Sequence, residues 1–261
     1  MARPIALITG ASSGIGADLA REAAKDGYDV VLSARRVEPM QALARELETY
    51  TASATILAAD LCRPEGPAGL VREVEQRNLK IDLLINNAGL GANGLFAESD
   101  ITRIGEMLQV NIVALTELTR LILPAMVSRK RGRVMLLAST ASFQPGPRMA
   151  VYCASKAYVL SFGEAIAYEL RNSGVTVTTV CPGATATEFS RVAGTENIGL
   201  HRGAMSSVMS SAEVARIGYQ GTKAGRRVVI TGFMNRIMAS AARVSPHAMV
   251  LPIANSMMST R

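Results

Sequence analysis

Ile5-Ala6-Leu7-Ile8-Thr9-Gly10-Ala11-Ser12-Ser13-Gly14-Ile15-Gly16 is the stretch that sets the fold. Four apolar residues in a row, stopped by Thr9-Gly10, read as a strand buried on both faces of a parallel sheet. A helical pattern follows through Leu19, Ala20, Ala23 and Ala24, and Gly27 ends it. Strand, glycine-rich turn and helix in this order form the first half of a dinucleotide-binding βαβ unit. Glycines let the backbone approach a pyrophosphate, and the unpaired N–H groups of a helix start can bind it.

Alternation then runs along the chain. Strands are expected at Asp29–Ala34, Ala54–Ala58, Asp82–Ile85, Val134–Leu137 and Val175–Val180. Helices are expected over Glu38–Tyr50, over Pro64–Arg77 with Pro64 in the first turn, over Ile101–Ser128 and over Tyr152–Asn172. This predicts an α/β chain: a single-domain, Rossmann-type, doubly wound parallel sheet with helices on both faces. Residues 1–232 would form the dinucleotide-binding catalytic domain, and 233–261 an apolar, basic, helical C-terminal extension of it. Ligands of such sheets bind at the carboxyl ends of strands. The glycine turn, Arg35, Asp60 with Leu61, Asn87 with Ala88 and Gly89, Ser139 and Pro182 all stand there.

The second strand ends at Ala34-Arg35-Arg36. An acid there would suit a ribose 2′-hydroxyl; a guanidinium suits a 2′-phosphate instead, so NADP(H) is the expected cofactor. Further along, Tyr152 and Lys156 lie one helical turn apart on one face. A nearby ammonium favours a phenolate, so Lys156 is expected to lower the Tyr152 pKa from its ordinary ~10. The pair is a candidate acid/base.

These motifs together resemble the short-chain dehydrogenase/reductase (SDR) family over roughly residues 4–231. The resemblance rests on Thr9-Gly10 through Gly16, Asn86-Asn87-Ala88-Gly89, Asn111, Ser139, Tyr152 through Lys156, and Pro182-Gly183 with Thr187. It implies that Asn111, Ser139, Tyr152 and Lys156 form a catalytic tetrad, with Lys156 also on the nicotinamide ribose. Asn111 would hold a water linking Lys156 to solvent. It further implies that Gly10, Ser12, Ser13, Gly14, Ile15 and Gly16 face the dinucleotide. Pro182, Gly183 and Thr187, with Thr185 between them, would hold the nicotinamide carboxamide. Many relatives carry an asparagine in the strand before the serine; here the strand reads Met135-Leu136-Leu137, and a repacked interior with intact chemistry is expected. The function implied is hydride transfer between NADP(H) and a carbonyl/secondary alcohol of a hydrophobic small molecule. A same-fold epimerase or dehydratase and a non-catalytic, membrane-associated NADP-binding protein are the alternatives. Phe143, Met149, Val192, Met205 and Met209 are apolar candidates for the substrate side.

Composition bounds these readings. At 261 residues, 49% of them hydrophobic, the chain can bury a full core. Cys62, Cys153 and Cys181 lack metal-ligand spacing and suggest reduced thiols; Cys153 is expected to be a packing residue. No metal is expected, and the N-terminus runs straight into a strand, so a cytoplasmic location is expected. No Trp, few aromatics and no nucleic-acid motif argue against nucleic-acid binding despite a pI near 9.7. A homo-oligomer, dimer or tetramer, is expected.

The net charge of +7 is carried wholly by seven cations after Glu213, the last acidic residue. In that tail Phe233, Met234, Ile237, Met238, Ala241 and Val244 recur at helical spacing, and Pro246 and Pro252 are expected to divide it from a second apolar stretch, Ala248–Met258. Packing over the substrate cleft or on a neighbouring subunit is expected; contact with an anionic membrane surface is the alternative.

Overall fold

The structure, a computed structural model, describes residues 3–195 and 208–259. Strand β1 (Ile5–Thr9) feeds helix α1 (Gly14–Lys25), and β2 (Asp29–Ala34) feeds α2 (Val37–Leu47). Then come β3 (Ala54–Ala58), α3 (Gly66–Gln76), β4 (Ile81–Asn86), α4 (Ile101–Leu108), α5 (Leu115–Ser128) and β5 (Gly132–Leu137). The rest is α6 (Ala150–Glu169), β6 (Val175–Cys181), β7 (Thr185–Ala186), α7 (Glu188–Val192), β8 (Met209–Ser210), α8 (Ser211–Lys223), β9 (Val228–Ile230), α9 (Phe233–Val244) and α10 (His247–Met258).

Seven strands form one parallel sheet in the order β3-β2-β1-β4-β5-β6-β9. Strand order reverses between β1 and β4, the place where a crevice opens at the carboxyl ends. The sheet is apolar on both faces because both are covered. On one face Leu19, Met40, Leu43 and Tyr219 from α1, α2 and α8 pack on Ile8, Leu32 and Ile85. On the other, Leu70, Leu118, Ile122 and Val159 from α3, α5 and α6 pack on Leu7, Leu84 and Leu136. Met135 is fully buried in the first of these layers, so the apolar replacement in β5 is a packing residue.

Three local expectations need correction. The helix expected to reach Tyr50 stops at Leu47, and Glu48–Tyr50 tightens into a 3₁₀ turn ending at Thr51 with φ 57°. Pro64 lies outside α3, whose first turn holds Pro67; the helix starts at Gly66, where a Cβ would lie 2.2 Å from the Asp60 carbonyl oxygen. The Ile101–Ser128 span is helical throughout, as expected, with a π-helical insert at Gln109–Ala114. By length and composition this span could cross a membrane, but Leu115, Leu118, Ile122 and Met126 bury it on the sheet. Pro252 does not divide the tail, since it lies within α10.

Candidate active site

A cavity of about 850 Å³ opens along the carboxyl ends of β1, β2, β4, β5 and β6. Gly10, Ser12, Ser13, Gly14, Ile15 and Gly16 line it from the first turn, and Arg35, Asp60 and Leu61 from the next two strand ends. Asn87, Ala88, Gly89, Ser139, Tyr152, Lys156, Pro182, Gly183, Thr185 and Thr187 complete the predicted set. Asn111 alone of that set is not in the wall; it is fully buried behind it.

The first turn is held by long-range hydrogen bonds. The Asn87 side-chain amide donates to the carbonyls of Thr9 (2.9 Å) and Gly10 (3.2 Å), while the N–H groups of Asn87 and Ala88 donate to Thr9 Oγ1 at 3.1 Å each. The Asn87 side chain therefore holds the turn, with both its amide protons used. Gly16 is fixed by this contact: a Cβ there would lie 2.2 Å from the Gly10 oxygen and 2.4 Å from Asn87 Nδ2. Helix α1 starts without a side-chain cap at Ser13 and without an acid in its first turn. Its N–H groups are thus free for an anion, which fits a pyrophosphate.

At the other end, Lys156 is 5% exposed, and its Nζ donates to the Leu137 carbonyl at the end of β5 (2.8 Å). Burial pushes its pKa down to about 8. Ser139, just past β5, caps the 3₁₀ turn Thr140–Phe143: its Oγ accepts from the Ala141 N–H at 3.1 Å. That turn is tied to α6, because Ser142 Oγ donates to the Lys156 carbonyl at 2.7 Å. Thr140 N–H donates to Pro182 at 2.8 Å, which joins the Pro182-Gly183 turn to the same unit.

The expected effect of Lys156 on Tyr152 is not found. Burial pushes the Tyr152 phenol up to about 12, opposed by the nearby Ser139 hydroxyl, and Lys156 Nζ stands 5.8 Å from the ring centroid. The Asn111 amide donates to Leu90 O and Ser155 Oγ, each at 2.9 Å, and its oxygen accepts from Leu90 N–H at 2.8 Å. The side chain thereby pins the loop after β4 to α6. Cys153 is buried beside Ala141, Met149 and Met258, its thiol pushed up to about 11, as suits a packing residue.

Several wall residues were not anticipated. Phe189 lies 5.6 Å from the Tyr152 ring, centroid to centroid, and against Gly91, where a Cβ would approach its ring to 2.6 Å. Arg36 pairs with Glu188 at 2.7 Å and approaches Ser12 and Ser13 at 3.5 Å. The tail reaches the cavity as expected, through Asn235, Met238, Ala239, Ile253, Met257 and Met258. Of the apolar candidates, Met149 and Val192 line the wall, Phe143 and Met209 are buried outside it, and Met205 lies outside the described residues.

Residues 4–197 match the sequence profile of the short chain dehydrogenase family. The chain belongs to the short-chain dehydrogenase/reductase family. This SDR is an oxidoreductase built on the family's fold. It is 30% identical to mouse 17-beta-hydroxysteroid dehydrogenase type 3 over 236 residues, 89% of this chain and 75% of that one. It is 35% identical to the ketoacyl reductase HetN of a Nostoc species over 177 residues, 68% of this chain, and spans 62% of that protein's length. Among solved structures it resembles a short-chain dehydrogenase from Sphingobium yanoikuyae in complex with NADPH, at 33% identity and TM-score 0.80, covering 92% and 93% of the two chains.

The packing at Gly16 yields a direct test. Gly16→Ala should cost about 1–3 kcal/mol of stability, the usual range for overpacking, and weaken nucleotide binding. Gly69→Ala in α3, where the nearest atom is an arginine tip at 3.7 Å, should be neutral or stabilising. Urea unfolding and nucleotide titration of both variants check this; equal behaviour would remove the role assigned to Gly16.

Proposed function

We propose that this SDR transfers hydride between NADP(H) and the carbonyl/secondary alcohol pair of a hydrophobic small molecule, with Tyr152 as general acid/base. The observation that carries the reading is the meeting of Tyr152, Ser139 and Lys156 at one end of a cavity whose other end holds Arg35 and Arg36. No acidic residue stands at the end of β2, where Ala34 precedes the two arginines. The cavity wall beyond Tyr152 is apolar, made of Met149, Phe189, Val192, Met238 and Ile253. A relative named for a hydroxysteroid and a neighbour that binds NADPH support both halves of the reading.

NADPH, when bound, supplies the hydride. The protein's share is binding, orientation and proton handling. The glycine turn and the open start of α1 receive the pyrophosphate, and Arg35 and Arg36 the 2′-phosphate. Lys156, with one of its three N–H donors on Leu137, offers the others to the ribose hydroxyls. Ser139 hydrogen-bonds the substrate oxygen, and Tyr152 gives it a proton as charge develops there. Phe189 and the tail keep water from that end.

A carbonyl panel assayed by NADPH consumption, repeated with NADH, tests the function as a whole; no turnover of any apolar ketone or aldehyde would sink it. Tyr152→Phe should keep fold and NADPH binding while kcat falls on the order of 10²–10⁴-fold. Near-normal turnover in the folded variant would contradict the assignment.

Arg35→Ala should raise the Kd for NADPH by about one to two decades and leave that for NADH unchanged, as loss of a charge-assisted hydrogen bond does. Equal weakening of both would make Arg35 structural.

The raised phenol pKa fixes a pH signature. Tyr152 carries its proton at neutral pH, so kcat/KM for carbonyl reduction should be level between about pH 6 and 8 with respect to this group. Alcohol oxidation needs the phenolate and should climb with pH across the same range. Initial rates in both directions check this, and an oxidation rate independent of pH would contradict it.

A further inference from the structure

Helix α9 is apolar on two opposite sides. Ala239 is buried against the core. Phe233, Ile237 and Val244 fall within about 40° of one another at 100° per residue, roughly opposite Ala239. That second stripe is not covered by the described residues: Phe233 is 75% and Val244 84% exposed. Helix α10 repeats the arrangement. It carries no Asp, Glu, Lys or Arg. Val250, Ala254 and Met258 are buried at i, i+4 and i+8, while Met249 (65%) and Ile253 (62%) stand exposed one turn apart. Helix α9 therefore covers the cleft with one side only.

We infer that the outer side of α9 and α10 is a docking surface for an anionic lipid bilayer. Charge selects this occupant. No acidic residue follows Glu213, and Arg236 and Arg243 lie together along one edge of the apolar stripe of α9. Arg243 reaches Glu164 of α6 at 3.8 Å; Arg236 has no acidic partner among the described residues. A second copy meeting this face with its α9 antiparallel would set arginine edge against arginine edge, which like-charge repulsion disfavours. Exposed apolar side chains edged by cations suit a surface of anionic head groups over hydrocarbon. The face is also continuous with the cavity mouth, since Ile253 and Met238 are exposed and line it. The docking itself does not rest on the proposed reaction.

Co-sedimentation of the full chain tests the inference, with vesicles of phosphatidylcholine alone and of phosphatidylcholine with phosphatidylglycerol in equal parts. Binding is expected to the anionic vesicles, to weaken as salt rises, and to be slight with the neutral ones. Arg236→Gln should lower apparent affinity about fivefold, and Phe233→Ser with Val244→Ser at least about tenfold. Circular dichroism and NADPH affinity should be unchanged in both, as neither variant touches the cavity. If the double variant misfolds, Met249→Ser alone and the salt dependence of the unmodified chain decide the matter. Protein left in the supernatant with anionic vesicles at low salt would overturn the inference. So would binding indifferent to these substitutions, or a lipid-free dimer in sedimentation velocity that Phe233→Ser with Val244→Ser dissolves, which would give the face to a second copy.

Discussion

The burial of the Lys156 ammonium is the constraint on which the site depends. A charge removed from water costs several kcal/mol unless hydrogen bonds replace its hydration. The Leu137 carbonyl at the end of β5 provides one such bond at 2.8 Å. That bond places the ammonium at the carboxyl edge of the sheet, where β5 and α6 meet. Gly89 leaves it space, since a Cβ there would lie 3.3 Å from Nζ. Asn111 then locks the neighbouring loop to α6, and Ser142 locks the turn that carries Ser139. Each positioning hydrogen bond joins elements far apart in sequence, so the site exists only in the assembled fold.

The same surroundings act on Tyr152. Loss of hydration drives the phenol and the Lys156 ammonium each toward its neutral form. Ser139 works against the burial, and its hydroxyl is the polar group that partly offsets the loss of water around the phenol.

What the sequence made legible was local. The strand of Ile5–Thr9, the glycine turn and the end of β2 at Ala34 are written in contiguous residues; the short edge strand Val228–Ile230 was not read. Residues at strand ends were legible because a parallel sheet gathers its carboxyl ends. The π-helical insert at Asn111 was not, since period 3.6 and a single insert look alike over a few residues. Phe189 and Asn235 escaped notice because their roles come from contacts across the cavity; an aromatic soon after Pro182-Gly183 was the signal for the first. The balance of Lys156 against burial at Tyr152 was misread for a related reason: spacing on a helix gives proximity but not solvent exposure.

The central claim is that loss of hydration raises the Tyr152 phenol above its ordinary pKa where it meets Ser139 and Lys156 in the cavity. It is tested most directly by ¹³C NMR titration of the enzyme labelled at its tyrosine rings, with the Tyr152 resonance assigned by its loss in Tyr152→Phe. The account predicts no ionisation of Tyr152 below about pH 10, the ordinary tyrosine value. A Tyr152 phenol that titrates near neutral pH in the cofactor-free enzyme would contradict it.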